Sequence, residues 1–278
     1  MVSKLAALLP RIGRLVGLNR QQLDLSKPDH IRGATRDFRP QLIVNAAAYT
    51  AVDQAETDEA TARAINAEGV AILAEEGKKI GARLIHYSTD YVFDGTKDSP
   101  YKENDLTNLL NTYGRTELEG EEAIRAVGIP HLILRTSWVY ATRGRNFLLK
   151  ILRLATQREE LGILADQVGA PTWSRTIAAA TSRILAEATE RSDIGFSEVS
   201  GTDHMTATGA TNWHAFASTI LKEVNRTPDI PWLSMALNGG PITVRRIVAL
   251  TTAEYPTPAR RPANFPAIDF PVKTNLPN

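Results

Sequence analysis

The chain has 278 residues, 43% hydrophobic and 23% charged, which is enough to bury a substantial core and unlike a disordered or fibrous chain. Lys plus Arg number 32 against 31 Asp plus Glu, so the net charge of +1 gives no field to hold nucleic acid or an anionic membrane. The absence of cysteine excludes disulfides, thiolate metal sites and thiol nucleophiles, and fits a cytoplasmic location.

From Met1 to Leu18 the one apolar run, Leu5 to Leu9, is too short for a secretory signal or a membrane span. Lys4, Arg11 and Arg14 alternate with Leu5, Leu8, Ile12 and Leu15, which fits an organellar presequence or a short amphipathic helix followed by a strand at Leu15 to Leu18. The second reading is the simpler one. No other window reaches the length of a membrane-spanning helix.

Further apolar runs at Leu42 to Ala46, Arg83 to Ser88 and His131 to Thr136 read as strands. Between them, Asp58 to Lys79 is Ala- and Glu-rich, follows Thr57 as an N-cap, and ends in lysines before Gly81. Asn111 to Val127 has the same form, with Gly128 placed to cap it. Strands alternating with long helices predict an α/β, doubly wound parallel sheet.

Past Trp138 the rhythm changes. Asn146 to Gln157 is amphipathic, Asp166 to Thr172 (DQVGAPT) is a turn-rich loop, and helices are expected at Thr176 to Glu190 and Asn212 to Val224. Together they suggest a smaller α+β lobe. From Tyr255 onward the density of proline predicts extended or irregular chain.

Three segments carry chemistry. Val44 to Glu56 (VNAAAYTAVDQAE) sets Ala46, Ala47 and Ala48 after a buried strand, where small side chains let a flat cofactor approach the backbone or let a helix pack tightly. His86 to Gly95 (HYSTDYVFDG) brings Ser88, Thr89 and Asp90 to the same sheet edge, to polarise a substrate carbonyl or to cap a turn. Tyr113, near the start of the long helix, is placed to give a proton to a carbonyl oxygen, chemistry that normally pairs Tyr with a Lys four residues later. Position 117 is Glu.

These segments, with NTYGRTELEGE, ILRTSWVY, DQVGAPT, TNWHAFA and YPTPARRPAN in order from Leu5 to Asn264, resemble the dTDP-4-dehydrorhamnose reductases, a family of extended short-chain dehydrogenase/reductases. The resemblance implies a Rossmann-like cofactor-binding domain over residues 1–140, a mainly substrate-binding lobe over 141–264, and an irregular tail over 265–278. It implies reduction of the 4-keto group of dTDP-6-deoxy-L-lyxo-4-hexulose to dTDP-L-rhamnose by NADPH or NADH. Carried over by position, Thr89 would bond the substrate carbonyl, Tyr113 would donate the proton, and Asp90 and Trp138 would touch the sugar nucleotide. Asp24, Leu25, Ala46 to Ala48, Tyr87 and Tyr113 would line the cofactor. For Asp24 a helix cap and for Trp138 a core aromatic are the alternatives. The resemblance also admits a homodimer and Mg2+ dependence, although His30, His86, His131, His204 and His214 show no ligand spacing.

The family opens with a strand and a Gly-rich phosphate loop, and neither is expected here. Leu5 to Pro10 aligns with the helix that follows that loop, and Asn19 stands where relatives commonly carry Asp. The missing strand would be central, so a folded chain must close or cover the gap. Glu117 occupies the catalytic Lys position, Asp203 replaces a family Tyr, and the last residues depart from the pattern. The expectation is a weak reductase, with a non-catalytic binding or regulatory subunit as the alternative.

Overall fold

The computed structural model describes residues 5, 7–9, 13–190, 196–226 and 230–264, so the expected irregular tail at 265–278 lies outside the described residues. In chain order, α1 (Pro28–Phe38) leads to β1 (Leu42–Asn45), α2 (residues 59–79) to β2 (Arg83–Thr89), and α3 (Thr112–Val127) to β3 (His131–Thr136). Short strands β4 (Val139–Tyr140), β5 (Glu160–Leu164), β6 (Val168–Gly169) and β7 (Thr172–Trp173) follow, with α4 (Phe147–Ala155) between β4 and β5. After α5 (Ser174–Glu190) come β8 (Gly201–His204), β9 (Thr211–Asn212), α6 (Trp213–Arg226), α7 (Pro231–Ala236) and β10 (Arg246–Leu250).

Strands β1, β2, β3 and β8 form a parallel sheet in that order, with Asn45 opposite His86, Thr89 opposite Thr136 and Arg135 opposite His204. On one face Leu84 and Ile133 bury against Val70 and Ala74 of α2 and Ile124 of α3. On the other, Ile85, Tyr87, Leu132 and Leu134 pack with Leu5, Leu9 and Ile177, Ala178 and Leu185 of α5. Apolar layers on both faces are the doubly wound arrangement, and they explain why these strands read as continuous apolar runs.

Helix α3 begins where Asn111 Oδ1 accepts the Gly114 N–H at 2.8 Å and ends at Gly128, whose φ of 68° is the left-handed cap the sequence signals. Helix α2 holds a π segment, Ala64–Glu68, between α-helical Glu59–Arg63 and Gly69–Lys79. Its N-cap is Asp58, not the expected Thr57, whose hydroxyl donates to the Gln54 carbonyl instead.

A second core joins Leu148, Ile151 and Leu152 of α4 to Ala217, Ile220 and Leu221 of α6 and Leu233 of α7, beside the parallel pair β5–β10. Between these lobes the chain returns to the large sheet through α5 and β8, so the lobes are not consecutive segments. The DQVGAPT stretch, expected as a loop, contains β6 and most of the turn into β7. No helix among the described residues is long and apolar enough to cross a membrane.

The strand expected at Leu15 to Leu18 does not form: these residues have no regular structure, and Leu15 and Val16 are 38% and 44% exposed. A strand requires a paired neighbour, and among the described residues β1 pairs only with β2. Leu9, Gly13, Arg14 and Leu15 run past that edge and enclose a cavity of about 240 Å3 with Leu42, Val44, Leu185 and Phe196. Leu42 and Arg83, which begin their strands, line this cavity, so it lies at the opposite end of the sheet from Thr89.

Candidate active site

At its carboxyl end β2 delivers Ser88 and Thr89, with Asp90 next, to the sheet edge where α/β folds place ligands. Thr89 Oγ1 accepts the Tyr91 N–H at 3.2 Å, capping the 3-10 turn Asp90–Val92, and donates to Asp90 Oδ1 at 3.1 Å. Ser137 Oγ donates to Asp90 Oδ2 at 2.7 Å. Burial nonetheless raises the Asp90 carboxyl to about 6. The capping role of this triplet is therefore real, and it sits beside Tyr113.

Tyr113 lies in the first turn of α3, buried among Ala55, Ala62 and the edge of the Tyr91 ring, whose centroid is 5.4 Å away. Its phenol is raised well above the usual range, first by burial and then by Glu117, while hydrogen bonding with the Thr89 side chain pulls the other way. Glu117, the next turn along, is 1% exposed, and its Oε1 has no hydrogen-bond partner among the described residues. Burial raises its carboxyl well above the usual range, with Glu121 adding to the effect, so the neutral acid is favoured.

Beneath these residues Glu121 accepts from Arg135 at 2.9 and 2.7 Å, from Ser88 Oγ at 2.6 Å and from Arg125 at 2.5 Å. This charged knot ties α3 to β2 and β3. Asn66, in the π segment of α2, accepts the Tyr49 N–H at 2.7 Å and donates to the Tyr49 carbonyl and to Thr116 Oγ1, each at 3.2 Å. Sequence reasoning missed Asn66; a lone Asn in an Ala- and Glu-rich helical run was its signal.

The segment Ala46 to Ala48 leaves β1 at the same edge, with Ala47 exposed and Asn45 Oδ1 accepting the Ala47 N–H at 3.2 Å. Side chains no larger than methyl on a pinned backbone fit the close approach of a flat ring. Asp24 is engaged locally: its carboxylate accepts from Ser26 N–H and hydroxyl at 3.0 and 2.7 Å and pairs with Arg20. Leu25 buries its side chain against Ile31, Ile65 and Leu73, so only its backbone faces elsewhere. Tyr87 points to the sheet face opposite α3, its hydroxyl 2.6 Å from Thr181 Oγ1. The structure thus gathers Thr89, Asp90, Tyr113 and Glu117 directly, and sets the side chains of Asp24, Leu25 and Tyr87 in local or core contacts.

Trp138 follows Ser137 at the end of β3, with its indole stacked on that of Trp213 at a centroid distance of 3.4 Å. The YPTPARRPAN segment docks beside α3, where Asn111 Nδ2 donates to the Arg260 carbonyl and Arg261 pairs with Asp53, each at 2.7 Å. Neither Trp213 nor Arg261 was singled out from sequence, since only the fold brings them here. No group of three or more His, Asp or Glu among the described residues stands ready to hold a metal ion, so none is assigned to Mg2+.

The family model described as the RmlD substrate binding domain matches residues 2–266. A dTDP-4-dehydrorhamnose reductase of Burkholderia thailandensis is 47% identical over 261 residues, covering 94% of this chain and 84% of that protein. One from Escherichia coli K12 is 43% identical, covering 87% of this chain and 75% of the relative. Among solved structures, a Bacillus anthracis dTDP-4-dehydrorhamnose reductase in complex with NADP superposes with a TM-score of 0.82 at 28% identity, covering 96% of this chain and 85% of its own. A Clostridium acetobutylicum ortholog gives 0.83 at 30% identity, covering 96% and 86%.

Proposed function

The chain belongs to the dTDP-4-dehydrorhamnose reductase family, and from that premise we propose that it reduces the 4-keto group of dTDP-6-deoxy-L-lyxo-4-hexulose to the alcohol of dTDP-L-rhamnose. The observation that carries this is the buried meeting of Thr89 and Tyr113 at the carboxyl edge of the parallel sheet. NADPH, named in its oxidised form in the Bacillus anthracis complex, would supply the hydride when bound. The Ala46 to Ala48 backbone would lie under the ring, and Asp24, Leu25 and Tyr87 are the further family positions for the cofactor.

Thr89 turns its hydroxyl proton from Asp90 Oδ1 to the substrate carbonyl, and Tyr113 gives its phenolic proton to the carbonyl oxygen as that oxygen gains charge. A phenol raised above its usual range remains protonated at neutral pH, so the donor is loaded. What burial and Glu117 oppose is the phenolate left afterwards, which must regain a proton from solvent. Asp90 and Trp138 flank the carbonyl site as the residues proposed to meet the sugar nucleotide. The cysteine-free composition supports a cytoplasmic setting for this chemistry.

The test is keto-sugar-dependent oxidation of NADPH, followed by absorbance, in the parent chain and in Tyr113→Phe. Turnover by the parent that falls by roughly 100-fold or more in the variant is expected, a range typical of a lost general acid. Equal turnover would overturn the assignment. A second reading, a binding subunit without turnover, draws on the buried Glu117 and predicts dTDP-sugar binding with no NADPH oxidation.

A further inference from the structure

Trp138 has a φ of 45°, one of three non-glycine residues in the left-handed region among those described. Such a conformation is costly for a bulky side chain and persists only where its surroundings over-determine it. Two neighbours do so. A Cβ built on Gly169 would lie 2.4 Å from Trp138 Cε2 and 2.7 Å from both Cζ2 and Nε1, which sets Gly169 against one flat face of the indole. The Trp213 indole stacks on Trp138 at 3.4 Å with an interplanar angle of 8°, and two groups this close cannot share a face, so it covers the other. Phe147 backs Trp213 at 4.4 Å.

The main chain fixes both sides of this sandwich. Gly169 pairs with Thr211 in the antiparallel β6–β9 ladder, two residues before Trp213 starts α6. The Thr172 N–H donates to the Trp138 carbonyl at 3.2 Å. On the other side of Trp138, Ser137 bonds Asp90, which adjoins Thr89. A half-buried indole with both faces occupied has only its edge left to meet a ligand.

We infer that Trp213 is a positioning residue for sugar-nucleotide binding: stacked on Trp138 against the Gly169 backstop, it sets where the Trp138 edge stands at the site. This rests on the reading of the chain as a dTDP-sugar reductase, and goes beyond it by assigning a role to a residue on the smaller lobe. A merely structural Trp213 would lower thermal stability without selectively changing nucleotide affinity.

The experiment uses the full chain and dTDP as the probe. Far-ultraviolet circular dichroism should show an indole–indole exciton contribution that Trp138→Phe and Trp213→Phe each remove with the same difference spectrum; two unlike difference spectra overturn the stack. In calorimetric titration, Trp213→Ala should weaken dTDP about tenfold, Trp213→Phe should recover most of that loss, and NADPH affinity should stay unchanged. Gly169→Ala, which pushes the indole from the opposite face, should reproduce the loss. Parent-like dTDP affinity in Trp213→Ala overturns the inference while leaving the functional reading intact, whereas a parent that binds no dTDP sinks both.

Discussion

Glu117 lies one helical turn beyond Tyr113 on the same buried face of α3, the two being 1% and 9% exposed. Residues four apart on a helix are neighbours, so whatever charge position 117 carries acts on the phenol directly. A carboxyl there raises the phenol, where a cation would lower it. Replacing Glu117 with Lys should therefore raise the rate of keto-sugar reduction, roughly tenfold or more, and shift the pH profile of kcat downward. Glu117→Gln, which keeps the shape of the neutral acid and cannot ionise, should turn over close to the parent at neutral pH and exceed it only as pH rises. A Lys variant that folds, by its melting temperature, yet turns over no faster than the parent would show that the carboxyl does not restrain catalysis.

Arg135 and Glu121 form a buried pair at 3% and 0% side-chain exposure, with the guanidinium also 5.2 Å from the Phe93 ring centroid. Removing one member leaves the other charge buried without its partner, which costs about 3–5 kcal/mol, whereas replacing both with apolar side chains is often neutral. Glu121→Met, which leaves the buried Arg135 guanidinium without its carboxylate, should lose stability in that range in urea titrations, and the double change with Arg135→Met should recover most of it; Arg135→Met alone leaves Glu121 its bonds to Arg125 and Ser88 and should cost less. Additive losses would mean that the pair does not act as a unit.

His86 sits beneath the site at 1% exposure, with the Asn45 amide donating to its Nδ1 at 3.0 Å. Burial lowers its pKa to about 4 despite the opposing pull of Glu121. The unfolded chain, with an ordinary His near 6.5, binds a proton that the folded chain refuses. This contribution is therefore fully present above about pH 6.5 and is lost as pH falls toward 4, by up to about 3 kcal/mol. His204, also lowered to about 4, acts in the same direction. Asp90, raised to about 6, opposes both, because ionising it in the fold costs stability as pH rises from about 4 to 6. His86→Gln should flatten the acid side of the stability curve, read as urea midpoints at pH 7 and pH 4.5. An unchanged difference between those midpoints would remove His86 from this account.

What was legible in the sequence was what local chemistry decides. His131–Thr136 is a strand at its expected bounds because a strand buried on both faces is a plain apolar run. Thr112–Val127 ends at the glycine the sequence signals, while Asn111, expected as the first helical residue, is its N-cap. Gly201–His204 was not legible: GTDH has no strand pattern and becomes one only by pairing with β3. Leu15 to Leu18 had the pattern but gained no paired strand among the described residues. The site divides similarly. Thr89 and Tyr113 are carried on motifs, whereas Asn66, Arg261 and Trp213 reach it through contacts more than fifteen residues away in the chain.

Gly114 follows Tyr113 in the first turn of α3, and a Cβ there would stand 2.2 Å from the Tyr91 carbonyl oxygen. That carbonyl cannot swing aside freely, because the Tyr91 N–H is held by Thr89 Oγ1 and the Phe93 N–H by the Asp90 carbonyl. An added methyl must therefore push the start of α3 away from the end of β2, parting Tyr113 from Thr89. In an unobstructed helix, Gly→Ala gains up to about 1 kcal/mol, whereas overpacking costs about 1–3 kcal/mol. Gly114→Ala should accordingly lower the melting temperature, reversing the ordinary sign. It should also depress kcat more than KM, because Tyr113, the proposed proton donor, moves while Trp138, the residue proposed to meet the sugar nucleotide, stays in place. A variant that melts higher than the parent would show that α3 can shift without strain, and the close approach to Tyr91 would then not be what sets the Tyr113 position.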